Sequence, residues 1–138
     1  MGASDYLALV SKYHTVCLEG VPVVTPDNKS AAYRFVTLVD VLYESRARLL
    51  CSAAELPGGV FGRVMTHEDF TELRRLEGDR VDDGSYVVDD NLGFVKDRTV
   101  SRLTEMGSLE YLRGHAEIHA PQLMLAIREA MDRRRASA

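Results

Sequence analysis

Arg98, Arg102 and Glu105 stand four and three residues apart, a spacing that gathers them on one face of a helix. A guanidinium placed there can pair with a nearby carboxylate at the surface, for a few tenths of a kcal/mol. It can also offer phosphate oxygens a charge-assisted, bidentate contact. Four other groupings invite a chemical reading, and their context argues against each. Glu19 follows the apolar run Thr15-Val16-Cys17-Leu18, as an Mg²⁺-directing carboxylate follows a strand in NTPases. No Gly-x-x-x-x-Gly-Lys-Ser/Thr occurs in the chain, however, so Glu19 reads more plainly as a strand-end turn residue. Gly58-Gly59 behind Pro57 lacks the lysine of a phosphate cradle. Asp79, Asp83, Gly84 and Asp90 fit positions one, five, six and twelve of a calcium loop, but Val81 fills position three and no exit helix follows. His115 and His119 are one turn apart around Glu117, in an order that is not His-Glu-x-x-His and without a third ligand, so zinc is not expected. No residue is assigned to catalysis or to a metal.

The elements that position these groups centre on Thr15 to Ala54. Thr15–Leu18 and Arg48–Ala53 are short apolar runs of the kind that form strands buried on both faces. Between them Asp27 or Asn28 can cap a helix whose Ala32, Phe35, Val36, Val39, Leu42 and Tyr43 recur at helical spacing. Strand, crossover helix and strand make one parallel βαβ unit. Ahead of it, Ser4 can cap a helix with Tyr6, Leu7 and Val10 on one face. Beyond it, Thr66 to Leu76 predicts a short helix stopped by Gly78, Asp82-Asp83-Gly84 a turn, and Tyr86-Val87-Val88 an extended piece. Asp97 is expected to cap the helix that carries Val100, Leu103 and Met106 inward, with Gly107 as its C′ residue and Ser108 capping a further turn. Pro121 starts, and Arg133-Arg134-Arg135 ends, a terminal helix.

The segment Asn28 to Glu44, NKSAAYRFVTLVDVLYE, closely resembles the C-terminal third of the AFG-one-like ATPases, mitochondrial relatives of bacterial ZapE within the AAA+ P-loop class. Ser4-Asp5-Tyr6-Leu7, Leu18-Glu19-Gly20-Val21-Pro22, Leu50-Cys51-Ser52-Ala53 and Asp97 to Met106 with Ser108 and Glu110-Tyr111-Leu112 match in the family's order. Asn91-Leu92-Gly93-Phe94 looks most like the plant-type members. The resemblance covers roughly residues 4–115, and it implies a partial P-loop NTPase-like domain over 1–115 followed by a helical tail over 116–138. Corresponding family segments to 61–94 vary in length, so a mobile or partly disordered connection is expected there.

By the same resemblance, Arg102 is a possible nucleotide-sensing arginine and Arg98 a weaker candidate. The full-length family uses ATP and Mg²⁺; the chain alone, without the Walker elements that lie upstream in the family, is expected to hold neither and to be inactive. Implied partners are proteins, the upstream ATPase core or other subunits, and implied compartments are the mitochondrion or the cytoplasm. The start of the chain matches the start of the family's last third, which suggests a truncated product or a fragment.

Bulk properties agree with a fold of this size. The chain has 138 residues, 46% of them hydrophobic, enough for one core. A net charge of −4 and a pI near 5.5 do not favour nucleic acid as partner. No apolar run approaches the ~20 residues of a membrane span, and no targeting signal is visible. Cys17 and Cys51, each among apolar neighbours, are expected to be reduced core residues. The expected architecture is α/β: a small parallel sheet, a variable connection and C-terminal helices. Two functions remain open: the C-terminal part of such an ATPase, or a protein-interaction module that keeps its fold without the enzyme.

Overall fold

A computed structural model describes residues 1–138. In chain order it holds α1 (Ala3–Lys12), β1 (Thr15–Val21), α2 (Lys29–Glu44), β2 (Arg48–Ala53), α3 (Pro57–Val60), β3 (Val64–Met65), α4 (His67–Glu77), β4 (Val87–Val88), α5 (Asp90–Met106), α6 (Leu109–His119) and α7 (Met124–Ala136). Strands β1 and β2 pair in parallel, as do β3 and β4. The architecture is α/β, with small parallel ribbons and helices at the C-terminal end.

The βαβ unit forms where the apolar runs place it. Thr15 lies opposite Arg48 and Leu18 opposite Cys51, with a break in register between Leu18 and Val21. Gly20 sits in that break at φ +72°, a left-handed conformation that costs glycine no steric strain. Its N–H donates to Ser52 Oγ at 2.9 Å. The crossover helix α2 buries Ala32, Val36, Leu38, Val39 and Leu42; Tyr6 of α1 joins Leu38, Val39, Leu42 and Met106 in one apolar cluster. Helix α2 ends at Glu44, and two residues on Arg46, at a φ of 52°, turns the chain so that the Ala47 N–H reaches the Leu42 carbonyl at 2.9 Å.

Both-face burial of the strands does not occur. Helices α2 and α5 cover one side of the β1–β2 ribbon, while Cys17, Glu19 and Leu50 on the other are exposed. Two strands in this arrangement offer only one face to the available helices. Cys17 is an exposed free thiol on that uncovered side; Cys51, on the opposite face with Leu49, is likewise an exposed free thiol rather than a core residue, beside an open groove shared with Leu103 and Met106. Cys17 pairs in register with Leu50, and Cys51 with Leu18; adjacent positions on a strand point to opposite faces, which separates the two sulfurs.

Residues 61–94 differ from the expected loose connection. They carry β3, α4 and β4, and they give the core Phe61, Val64, Val87 and Leu92. The pairing is fixed by backbone bonds from the Val87 N–H to the Arg63 carbonyl, 2.8 Å, and from the Asp89 N–H to the Met65 carbonyl, 2.9 Å. Two-residue strands leave too little pattern for period-two alternation to show. Helix α4 matches its prediction: Thr66 Oγ1 accepts from the Asp69 N–H and Gly78 follows Glu77.

Other helix starts lie elsewhere than expected. Helix α1 is entered from Gly2, whose N–H donates to Asp5 Oδ2 at 2.7 Å, so Ser4 lies inside the first turn, and Leu7 is exposed. Helix α5 begins seven residues before Asp97, capped by Asp89. Gly107 ends it at φ −88°, without the left-handed turn expected of a C′ glycine. Ser108 caps α6 by accepting from the Tyr111 N–H at 3.1 Å.

Candidate functional site

Packing of α5 on α2 sets two oppositely charged pairs against each other. Asp40 and Glu44 lie one turn apart on α2; Arg98 and Arg102 lie one turn apart on α5. Arg98 Nη2 donates to Asp40 Oδ2 at 2.9 Å and Arg102 Nη1 to Asp40 Oδ1 at 2.7 Å. One carboxylate therefore receives two guanidinium groups, one on each oxygen. Arg102 Nη2 also reaches Glu44 Oε1 at 3.2 Å, and its guanidinium carbon stands 4.6 Å from the Tyr43 ring centroid. The Tyr43 hydroxyl donates to Glu105 Oε2 at 2.7 Å, and that bond, ahead of burial, raises its pKa.

These contacts differ from helix-surface pairing within α5, since the arginines reach across to another element. The Arg102 side chain is 21% exposed, against 51% for Arg98. The partly buried ring stack and shared carboxylate make the Arg102 contact the less screened of the two. Chemically, the arrangement is a guanidinium held by carboxylates and an aromatic face, with donors that suit either carboxylate or phosphate. Asp40 and Glu44 were not singled out from sequence. Their signal was present as an acidic i,i+4 pair on the polar side of α2, complementary in spacing to Arg98 and Arg102.

A second polar cluster joins the N-terminal ends of the same two helices. Lys29 Nζ contacts Asp89 Oδ2 at 2.7 Å, the Tyr33 hydroxyl donates to Asp89 Oδ1 at 2.6 Å, and the Leu92 N–H donates to Asp89 Oδ1 at 2.9 Å. Burial alone would raise the Asp89 pKa; the bonds from Lys29, Tyr33 and Leu92 outweigh it and hold the carboxyl at about 2. The missed signal was an Asp immediately before a helical run, the ordinary N-cap position.

The remaining sequence candidates do not converge. Glu19 is exposed within β1, and the strand runs past it to Val21. Gly58-Gly59 form part of α3. Asp82 Oδ1 accepts from the Gly84 N–H at 3.1 Å, Asp83 pairs with Arg74 at 3.6 Å, and Asp90 accepts from the His67 N–H at 2.8 Å, so the acidic stretch is spent on local contacts. His115 and His119 meet His14, with ring centroids 5.1 and 4.6 Å from it. His115 Nε2 lies 3.0 Å from the His14 carbonyl. Desolvation, more than the neighbouring charges, lowers the His115 pKa. No group of three or more His, Cys, Asp or Glu side chains is arranged to hold a metal ion, and no helix is long and apolar enough to cross a membrane.

Residues 1–72 match the family model described as AFG1-like ATPase. The chain is 38% identical to the cell division protein ZapE of Escherichia coli (strain K12) over 109 residues, 79% of this chain and 22% of that protein. It is 33% identical over 118 residues to the lactation elevated protein 1 homolog B of Danio rerio, 80% of this chain and 23% of the relative. The chain thus spans less than a quarter of the length of these relatives. No solved structure matches it.

Proposed function

The chain belongs to the AFG1-like ATPase family, and from that premise we propose that it serves as the C-terminal part of an AAA+ ATPase, one that couples ATP binding and hydrolysis to the handling of other proteins. Arg102 is the residue it offers to the nucleotide phosphates, with Arg98 beside it. The observation that carries this reading is the Asp40–Arg102–Glu44 contact over Tyr43: a partly buried guanidinium held by carboxylates can exchange one oxyanion for another as nucleotide phosphates arrive. Partners are then the P-loop segment and client proteins, and the compartment is one that the family resemblance implies, mitochondrion or cytoplasm.

Family membership brings ATP and Mg²⁺ into question, and the residues here do not fit them unaided. Gly58 and Gly59 stand in α3 with no lysine following, and the Arg102 donors face Asp40 and Glu44. Without a Gly-rich loop and its Lys and Ser/Thr, neither the metal nor the transferring phosphoryl group is held in line. The chain alone is therefore inactive, and a P-loop must come from elsewhere in the assembly.

The test is ATP turnover, by the purified chain and by the chain joined to a P-loop segment of the family. The joined protein should lose about tenfold or more of its turnover in both Arg102→Ala and Arg102→Lys, with a smaller loss in Arg98→Ala. Turnover indifferent to Arg102 would remove its role. Mg-ATP hydrolysis by the purified chain, abolished by Glu19→Gln, would overturn the inactivity. A second reading, a protein-interaction module without enzyme activity, draws support from the uncovered side of the β1–β2 ribbon, where Leu50 is 45% exposed. No ATP turnover in the joined protein would favour it.

A further inference from the structure

Helices α6 and α7 lean on the entry end of the β1–β2 ribbon and leave a cleft of about 320 Å³ between them and the strands. Its walls are aliphatic: Leu109 and Leu112 from α6, Ile127 from α7, with Ala126 and Ala130 too small to fill the space. Its floor is polar, made by His14, Thr15, Arg48 and His115. Most of that polarity is already used. His14 Nδ1 is 2.7 Å from Thr15 Oγ1, and His115 Nε2 is 3.0 Å from the His14 carbonyl.

Arg48 is the exception. It forms no ion pair, and its Nε is buried without a hydrogen-bond partner. A guanidinium is always charged and has no acceptor with which to satisfy itself, and a donor left buried and unpaired is the costly state of a polar group. Nε itself has no surface open to the cleft, so what a ligand can reach is the remainder of the half-buried, unpaired guanidinium, to which a carboxylate offers acceptors in the planar, two-oxygen form that it matches best.

We propose that this cleft binds a small aliphatic monocarboxylate, its carboxylate on Arg48 and its chain between α6 and α7. The volume lies at the lower end of small-molecule sites, roughly 300–1,000 Å³. It corresponds to the space of about ten liquid waters, which sets the chain length near that of octanoate. A single cation over aliphatic walls suits a monoanion with an apolar body rather than a phosphate dianion. The site shares no residue with the Arg98–Arg102 network and does not depend on the ATPase reading.

The experiment is calorimetric titration of the intact 138-residue chain with octanoate, octan-1-ol and N-acetyl-leucyl-leucine, with far-UV circular dichroism to confirm that each variant folds. Octanoate should bind saturably at one site, with octanol at least about tenfold weaker, because it lacks the charge-assisted contact. Arg48→Met should weaken octanoate about tenfold or more and leave octanol unchanged. Ala130→Leu, which fills the cleft and keeps the arginine, should weaken both. If Arg48→Met does not fold, the octanol comparison and Ala130→Leu still decide the matter in folded protein. The proposal is overturned by any of four results: no saturable octanoate binding, equal affinity for octanol, octanoate affinity in folded Arg48→Met that equals wild type, or tighter binding of the peptide, which would make the cleft a receptor for apolar C-termini.

Discussion

The two parallel ribbons of this molecule invert the usual relation between length and burial. The β1–β2 ribbon is the longer, yet much of it is exposed and one of its faces is uncovered. The β3–β4 ribbon has two residues on each side, and Val64 and Val87 are 0% and 3% exposed. What separates them is the start of α5. Asp89, Leu92 and Gly93 cap, fill and clear the ground over the shorter ribbon, whereas the longer one receives helices on one side only. Strand length contributes less to a core than what is laid across the strand, because apolar burial rather than ladder bonding supplies most of the net stabilisation.

Substitutions at the start of α5 should therefore cost more than substitutions in the longer ribbon. Leu92→Ala, at a side chain with no exposure, should destabilise by roughly 2–5 kcal/mol, and Leu50→Ala by about 0.5 kcal/mol. Equal shifts of the urea midpoint in the two variants would break the contrast. Gly93→Ala comes next. A Cβ there would stand 2.7 Å from Thr66 Cγ2 and 2.8 Å from the Thr66 backbone nitrogen, so the added methyl should cost about 1–3 kcal/mol. A neutral Gly93→Ala would show that β3 can back away from α5 freely.

Acid should expose the same asymmetry. The Asp89 carboxyl is held at about 2, below its ordinary 3.8, so the unfolded chain takes up its proton first as pH falls. This group's contribution is complete above pH 4 and is lost between about 4 and 2, amounting to about 2 kcal/mol. Wild-type unfolding measured at pH 5 and pH 2.5 should differ by more than in Asp89→Asn; an identical difference would remove Asp89 from the account. The smallest effect belongs to the longer ribbon. Arg46→Gly removes a left-handed non-glycine residue while freeing the unfolded chain, for a net gain of about 0–1 kcal/mol. A clear loss would mean that the Arg46 side chain supports the turn into β2.

What could be read beforehand follows the same division. The apolar runs at Thr15 and Arg48 and the face of α2 are long enough for periodicity to register, and the βαβ unit forms where they indicate. Burial on both faces did not follow, because an apolar run records tolerance of burial and not the presence of a cover; Cys17 and Leu50 are exposed for that reason. Val64-Met65 and Val87-Val88 carry no periodicity of their own, and only their tertiary partner Leu92 explains them. In the charged site, Arg98 and Arg102 were visible as a pair. Their partners Asp40 and Glu44 are some sixty residues away in sequence, and local spacing cannot report a pairing between two helices.

The carboxylate of Asp40, gripped on each oxygen by a different arginine, constrains the order in which this surface can change over generations. Removing Asp40 first leaves two like charges one turn apart on α5 with only exposed Glu44 nearby, and such neighbours repel. Removing Arg98 first leaves an intact pair, after which the remaining contacts can be exchanged one at a time. The three positions are therefore coupled rather than additive: a lineage that drops Arg98 before Asp40 keeps the Asp40–Arg102 pair throughout, while the reverse route leaves two arginines without the carboxylate they share.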